Sequence, residues 1–203
     1  MTRVKICGIR TLEAAIEAER GGADYIGFIF YPKSHRYIKP ADAAKIAQNI
    51  IKCKKVGVFV DEQVTIVNEI SERVNLDYVQ LHGHEDEDYA KKINRPIIKA
   101  WRYGDGFNVE DANKFPCELI LLDSFIKGKA GGTGQTFNWN AAAEETKKLK
   151  KPVLIAGGIS VDNVSEVIKI FSPFGVDVSG SLEINGIKSI DKIQKFLKFI
   201  IDN

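Results

Sequence analysis

Nowhere in the 203 residues is there an apolar run long enough to cross a membrane, and no apolar segment of leader type follows the basic Arg3. The sequence therefore predicts neither a membrane span nor a signal peptide, and a cytoplasmic address. Cysteine is scarce: Cys7, Cys53 and Cys117 are an odd number without metal-like spacing, which argues against a disulfide framework or a zinc site. Proline numbers six, and no linker, low-complexity tract or break in composition divides the chain. With no linker to divide it, the chain is expected to be one domain over residues 1–203. An excess of one charge is also missing: 29 Lys and Arg face 27 Asp and Glu, interleaved, for a net +2. That balance gives no basic face for nucleic acid. The longest charged stretch, His84 to Asp88, is short and acidic and reads as a solvated helix start.

What is present is an alternation. Short apolar, β-branched runs recur at Val4–Cys7, Tyr25–Phe30, Val56–Val60, Tyr78–Leu81, Ile97–Trp101, Leu119–Leu122, Val153–Ala156 and Val176–Val178. Between them lie segments of helical period, such as Val64, Val67, Ile70 and Val74, or Val161, Val164, Val167 and Ile168, or Ile190, Ile193, Leu197 and Ile200. Thr11, Ser160 and Ser189 stand at N-cap positions, and Pro40 suits the first turn of a helix over Ala41–Ile51. Nearly continuous apolar strands point to a parallel sheet covered by helices. Eight β-then-α units could close or stay open. The count of eight, and a size at the compact end of the barrel range of roughly 200 residues upward, favour an α/β fold of the (β/α)₈ TIM-barrel type.

In such a barrel the chemistry lies at the carboxyl ends of the strands. Glycines directly after strands seven and eight, in Ala156-Gly157-Gly158 and Ser179-Gly180-Ser181, allow backbone N–H groups to approach an anion. A tight turn and a simple loop are the bland alternatives. Cys7 ends strand one, two residues after Lys5, so the two side chains share a face. An ammonium there would favour the thiolate and make a base. Against this stands the commoner fate of a free cysteine as a small buried hydrophobe. Asp123 ends the run Leu119–Leu122, where an unpaired carboxylate would be costly in a core; it either caps the loop or is a proton donor, and the second is favoured. Asp177 either pairs with Lys5 or accepts a hydrogen bond from a substrate hydroxyl. His82 is a strand-end contact or a satisfied loop histidine. Arg36, in a loop with Lys33 and His35, is a solvated edge or a bidentate grip on a carboxylate.

Taken in order, Lys5-Ile6-Cys7-Gly8, Ser34-His35-Arg36-Tyr37, Gln80-Leu81-His82-Gly83, Leu122-Asp123, Gly131-Gly132-Thr133-Gly134, Phe137-Asn138-Trp139 and Ala156-Gly157-Gly158 resemble the phosphoribosylanthranilate isomerase family along the whole chain. The resemblance implies an Amadori rearrangement in tryptophan biosynthesis with no cofactor and no metal. It implies Asp123 as general acid, Cys7 as general base, and Arg36 on the anthranilate carboxylate. It further implies phosphate on Gly157, Gly158, Ser179, Gly180 and Ser181, and a closing loop containing Gly132 and Thr133. The expected partner is a small phosphosugar–anthranilate substrate.

One departure stands out. The family usually reads Asp-x-Ser-Ser-Gly-x-Glu after strand eight, and here Gly180 and Ser181 have exchanged places. Among rivals, the related isomerase of histidine biosynthesis resembles this family but places an aspartate where Cys7 stands. A lyase or synthase of the indole branch wants a lysine and glutamates that Lys5 alone does not supply. A barrel reduced to a binding module predicts a damaged constellation, whereas this one is intact. Monomer and homodimer both remain open, with Phe107 and Phe115 as candidate interface residues.

Overall fold

A computed structural model describes residues 2–104, 106–123 and 139–202. Eight parallel strands close into a barrel in sequence order, β1 (Arg3–Cys7), β2 (Tyr25–Ile29), β3 (Lys54–Phe59), β4 (Tyr78–Leu81), β5 (Ile97–Arg102), β6 (Leu119–Asp123), β7 (Val153–Ala156) and β8 (Gly175–Val178). Closure is made by β1 against β8, with Lys5 directly opposite Asp177. Helices α1 (Leu12–Arg20), α2 (Pro40–Ala47), α3 (Val64–Val74), α4 (Glu87–Ala90), α5 (Val109–Lys114), α6 (Trp139–Thr146), α7 (Val164–Phe171) and α8 (Ile190–Asp202) follow the strands one by one. The expected (β/α)₈ fold is what the chain forms.

The period-two side-chain alternation of the strands sorts their residues between two faces, an outer one under the helices and an inner one in the barrel. Outward-facing Ile6, Ile26, Phe28, Leu122 and Val176 pack under the helices in the larger cluster. Inward-facing Tyr25, Val56, Ile98, Leu119, Leu121 and Leu154 fill the barrel. That inner plug is apolar only at its lower levels. Toward the carboxyl ends the inward positions become Cys7, Gln80, Asp123 and Asp177, so the alternation that builds the core also delivers the polar side chains to the mouth.

Local signals behave as cap chemistry dictates. Thr11 accepts from the Ala14 N–H at the start of α1, and Ser189 accepts weakly from the Lys192 N–H ahead of α8. Ser160 does not cap α7. A turn at 161–163 intervenes, Asn163 is the N-cap, and the Asn163 Oδ1 accepts from the Ser160 N–H. Helix α2 has Pro40 in its first turn but stops at Ala47, short of the expected Ile51. Beyond it, Glu19 Oε1 accepts from the N–H groups of Ile51, Lys52 and Cys53 at 2.8, 2.6 and 3.1 Å. Phe115 is buried against Trp101, and Phe107 packs on Tyr103, so neither is the exposed aromatic that the sequence suggested. Among the described residues no helix is long and apolar enough to cross a membrane.

Candidate active site

At the carboxyl end of the barrel lies a cavity of about 570 Å³. Its walls bring together Cys7, Arg36, His82, Asp123, Gly157, Gly158, Asp177, Ser179, Gly180 and Ser181, every expected site residue within the described part of the chain. Gly132 and Thr133 lie outside the described residues.

Lys5 sits at the floor, wholly buried, with Nζ 2.9 Å from Asp177 Oδ1. Asp177 thus pairs with Lys5 while still lining the cavity, so the two alternatives raised by the sequence are compatible. Glycine at 27 on β2 leaves the space that Lys5 and Cys7 use. A Cβ there would fall 2.8 Å from Cys7 Sγ and 3.3 Å from Lys5 Nζ. Burial raises the Cys7 thiol above its ordinary value of 9.0, the Lys5 ammonium pulls it down, and the Asp177 carboxylate pushes it up again, leaving a net rise. Lys5 acts in the expected direction, but desolvation outweighs it. Cys7 is therefore mainly the thiol at neutral pH. Lys5 keeps its proton: burial works against it, but Asp177 and Cys7 together move it above its usual value.

Across the mouth, His82 Nε2 lies 3.9 Å from Asp123 Oδ2. Burial lowers the imidazole pKa despite the neighbouring Asp123, so the ring is neutral near pH 7. Its Nδ1 is 2.9 Å from Gln80 Nε2. With the amide donating, the ring proton sits on Nε2, on the Asp123 side. Sequence reasoning passed over Gln80. Its inward position, two residues before His82, was the available signal. It is buried in the cavity wall, and its Oε1 has no hydrogen-bond partner among the described residues. A buried acceptor without a donor costs about 1–3 kcal/mol, and a bound hydroxyl or N–H can relieve that cost.

Gly157 and Gly158 follow β7 with φ of +96° and +66°, a backbone course that only glycine adopts readily. After β8, a 3₁₀ turn at Gly180–Leu182 brings a second loop beside the first. The hydroxyls of Ser179 and Ser181 are not turned to an anion. Ser179 Oγ donates to the Cys7 carbonyl at 2.9 Å and Ser181 Oγ to the Ile159 carbonyl at 2.6 Å, tying the loops to each other and to β1. What these loops present to a ligand is backbone N–H.

Arg36 reaches the cavity wall, with its fork on the chain's own Glu183: Nε to Oε1 is 2.6 Å and Nη2 to Oε2 is 2.9 Å. The sequence left Arg36 between a solvated edge and a bidentate grip on a carboxylate; the fork is found here on a carboxylate of the chain itself, 147 residues away, which the sequence did not indicate. Glu183 and Lys188 belong to a hairpin, β9 (Glu183–Ile184) and β10 (Ile187–Lys188), that the apolar-run reading missed. Its signal was present in Asn185-Gly186, both with positive φ, the dipeptide of a two-residue hairpin turn. A second opening, of about 520 Å³, lies beside β4 and β5 and shares His82; it contains the buried pair Lys99–Glu85, 2.7 Å apart.

A closed parallel barrel with a thiol, a carboxylate and two glycine loops gathered at its carboxyl end defines an enzyme of the (β/α)₈ class. Residues 4–199 match the model of the N-(5'-phosphoribosyl)anthranilate (PRA) isomerase family. The chain is 45% identical over 199 residues to the N-(5'-phosphoribosyl)anthranilate isomerase of Oceanobacillus iheyensis, covering 96% of this chain and 94% of that protein. It is similar in structure to a phosphoribosylanthranilate isomerase in complex with reduced 1-(o-carboxyphenylamino)-1-deoxyribulose 5-phosphate, with a TM-score of 0.84, 35% identity and full coverage of both chains. It is similar also to monomers generated from the dimeric enzyme of Thermotoga maritima, with a TM-score of 0.82, 34% identity and full coverage of both. The chain belongs to the phosphoribosylanthranilate isomerase family, and is an isomerase of tryptophan biosynthesis.

Proposed function

We propose that this chain converts N-(5'-phosphoribosyl)anthranilate to 1-(2-carboxyphenylamino)-1-deoxyribulose 5-phosphate by general acid–base catalysis, acting as a single catalytic domain. The observation that carries this reading is the convergence, in one cavity, of Cys7, Asp123 and the two glycine loops. The compound named in the related complex is the reduced form of the product of this reaction.

In the proposed course the substrate phosphate lies on the N–H groups of Gly157, Gly158, Gly180 and Ser181. Asp123 gives its proton to the furanose ring oxygen. The C1–O bond breaks, and the nitrogen lone pair forms a protonated Schiff base. Cys7, as thiolate, removes the proton from C2, and the electron pair flows to the nitrogen to give an enolamine. Return of that proton from Cys7 to C1, with loss of the C2 hydroxyl proton to the Asp123 carboxylate, yields the ketone and restores both groups, so the scheme needs no redox partner. Lys5 offsets the thiolate charge, and the cationic Schiff base adds to it as the intermediate forms. Arg36 receives the anthranilate carboxylate, and Asp177 and His82 border the sugar, with Gly132 and Thr133 expected on the closing loop.

The test is a fluorescence assay in which substrate is generated from anthranilate and phosphoribosyl pyrophosphate by the transferase that joins them. Wild type is expected to consume it, with Cys7→Ser and Asp123→Asn each slower by about 10² or more. An inactive wild type would sink the reaction. An active Cys7→Ser at full rate would remove the thiol from the role of base.

A further inference from the structure

We propose that Glu183 and Lys188 are positioning residues that hold the Arg36 guanidinium with its outer edge free for the substrate's carboxylate. The inference rests on the reading of Arg36 given above and extends it to residues that never touch the substrate.

The hairpin makes the pair. Asn185 and Gly186 form its turn, and the register sets Glu183 directly across from Lys188. Alternation then sends Glu183 and Lys188 to one side and Ile184 and Ile187, each 55% exposed, to the other. On the inner side, Glu183 Oε1 accepts from both Arg36 Nε and Lys188 Nζ at 2.6 Å, and Oε2 accepts from Arg36 Nη2 at 2.9 Å. Lys188 Nζ also donates to the Ser179 carbonyl at 3.2 Å. The same Ser179 holds the Cys7 carbonyl through its hydroxyl. The guanidinium is thus fixed, through two charges and one serine, to the peptide of the proposed base.

Five N–H bonds radiate from a guanidinium. Glu183 takes Nε–H and one of the pair on Nη2. Nη1 has no hydrogen-bond partner among the described residues, which leaves an edge of Nη1 and Nη2 for a second carboxylate. The stem has little freedom either. A Cβ at Gly8 would fall 2.7 Å from Arg36 Cδ, and one at Gly180 would fall 3.2 Å from Arg36 Nη2.

Glu183 could instead be a stand-in that substrate displaces. Burial argues against it. The side chains of Glu183 and Lys188 are 8% and 3% exposed, so removal of the carboxylate would strand a buried ammonium. Two cations and one anion also leave the cluster with a surplus positive charge, which is what a further carboxylate requires. Burial opposes the Glu183 charge, yet hydrogen bonds from Arg36 and Lys188 hold its carboxyl at about 2, so Glu183 stays ionised throughout the working pH range; burial lowers the Lys188 pKa while Glu183 acts to raise it.

The test is a double-mutant cycle on the full chain, with Glu183→Gln, Arg36→Met and the pair together, read by steady-state kinetics on N-(5'-phosphoribosyl)anthranilate. Glu183→Gln should raise KM about tenfold with kcat within about twofold, as expected when binding common to ground and transition states is lost. The same change in the Arg36→Met background should have no effect on KM. Glu183→Asp keeps the charge while shortening its reach, and covers the case in which Glu183→Gln fails to fold; an intermediate KM is expected. The Nε–H signal of Arg36 in nitrogen-selective NMR, assigned by its loss in Arg36→Met, should be slow to exchange in wild type and fast in either Glu183 variant. An unchanged KM and NMR signal, or an equal KM penalty in both arginine backgrounds, overturns the proposal. If wild type does not turn the substrate over, the reaction assigned above fails, and the NMR comparison alone decides whether the brace exists.

Discussion

Three charged neighbours and a low-polarity burial meet at the sulfur of Cys7. Lys5 and Lys188 favour the thiolate, Asp177 disfavours it, and burial disfavours it most. The consequence of removing Lys5 therefore has a definite sign. Lys5→Met deletes the strongest stabiliser of the thiolate and leaves Asp177 uncompensated beside it, so both changes push the thiol higher. Titration by thiolate absorbance in the ultraviolet should show Cys7 ionising at higher pH than in wild type, with slower turnover near neutral pH. An unmoved titration would take Lys5 out of the chemistry. The direction of this effect was readable from the two-residue spacing of Lys5 and Cys7, which puts both inside the barrel. Its outcome was not, because desolvation is a property of the closed barrel rather than of a tripeptide.

Elements differed in how openly they were written in the sequence. The eight strands are four to six residues long and mostly apolar; all of them feed the outer core and β2 to β7 also the inner one, so periodicity and composition agree on them. The β9–β10 hairpin has strands of two residues, too short for any pattern to accumulate, and its purpose depends on Arg36, far away along the chain. Long-range ion pairs leave no local trace. The same hairpin gives the molecule a sensitivity to acid. Glu183 has its folded-state value depressed to about 2, so it contributes stability above the unfolded value, about 4.3, and loses it as pH falls toward 2. Urea midpoints for wild type and Glu183→Gln should differ near pH 6 and converge between about pH 4 and pH 2. A gap that persists at the acid end would mean that the depression is not there.

For the molecule as a whole, the decisive contact is the one that joins first strand to last. Lys5 and Asp177 are adjacent in register across the β1–β8 seam, with side-chain exposures of 0% and 9%. Asp177→Asn leaves an ammonium with no counter-charge in the barrel floor. That should lower global stability by about 3–5 kcal/mol, measured by urea unfolding at neutral pH. A loss under about 1 kcal/mol, the scale of an exposed pair, would show that the ammonium finds relief elsewhere.

The seam also governs the order in which the protein becomes an enzyme. Cys7 lies on the first strand of the barrel, and its charged surroundings are completed only by Asp177, Ser179 and Lys188, on and after the eighth. A ribosome that has delivered seven strands has therefore delivered helices, much of the apolar core and a cysteine like any other. The eighth strand gives that cysteine its charged surroundings and the cavity its second glycine loop, so cavity and barrel closure arrive together.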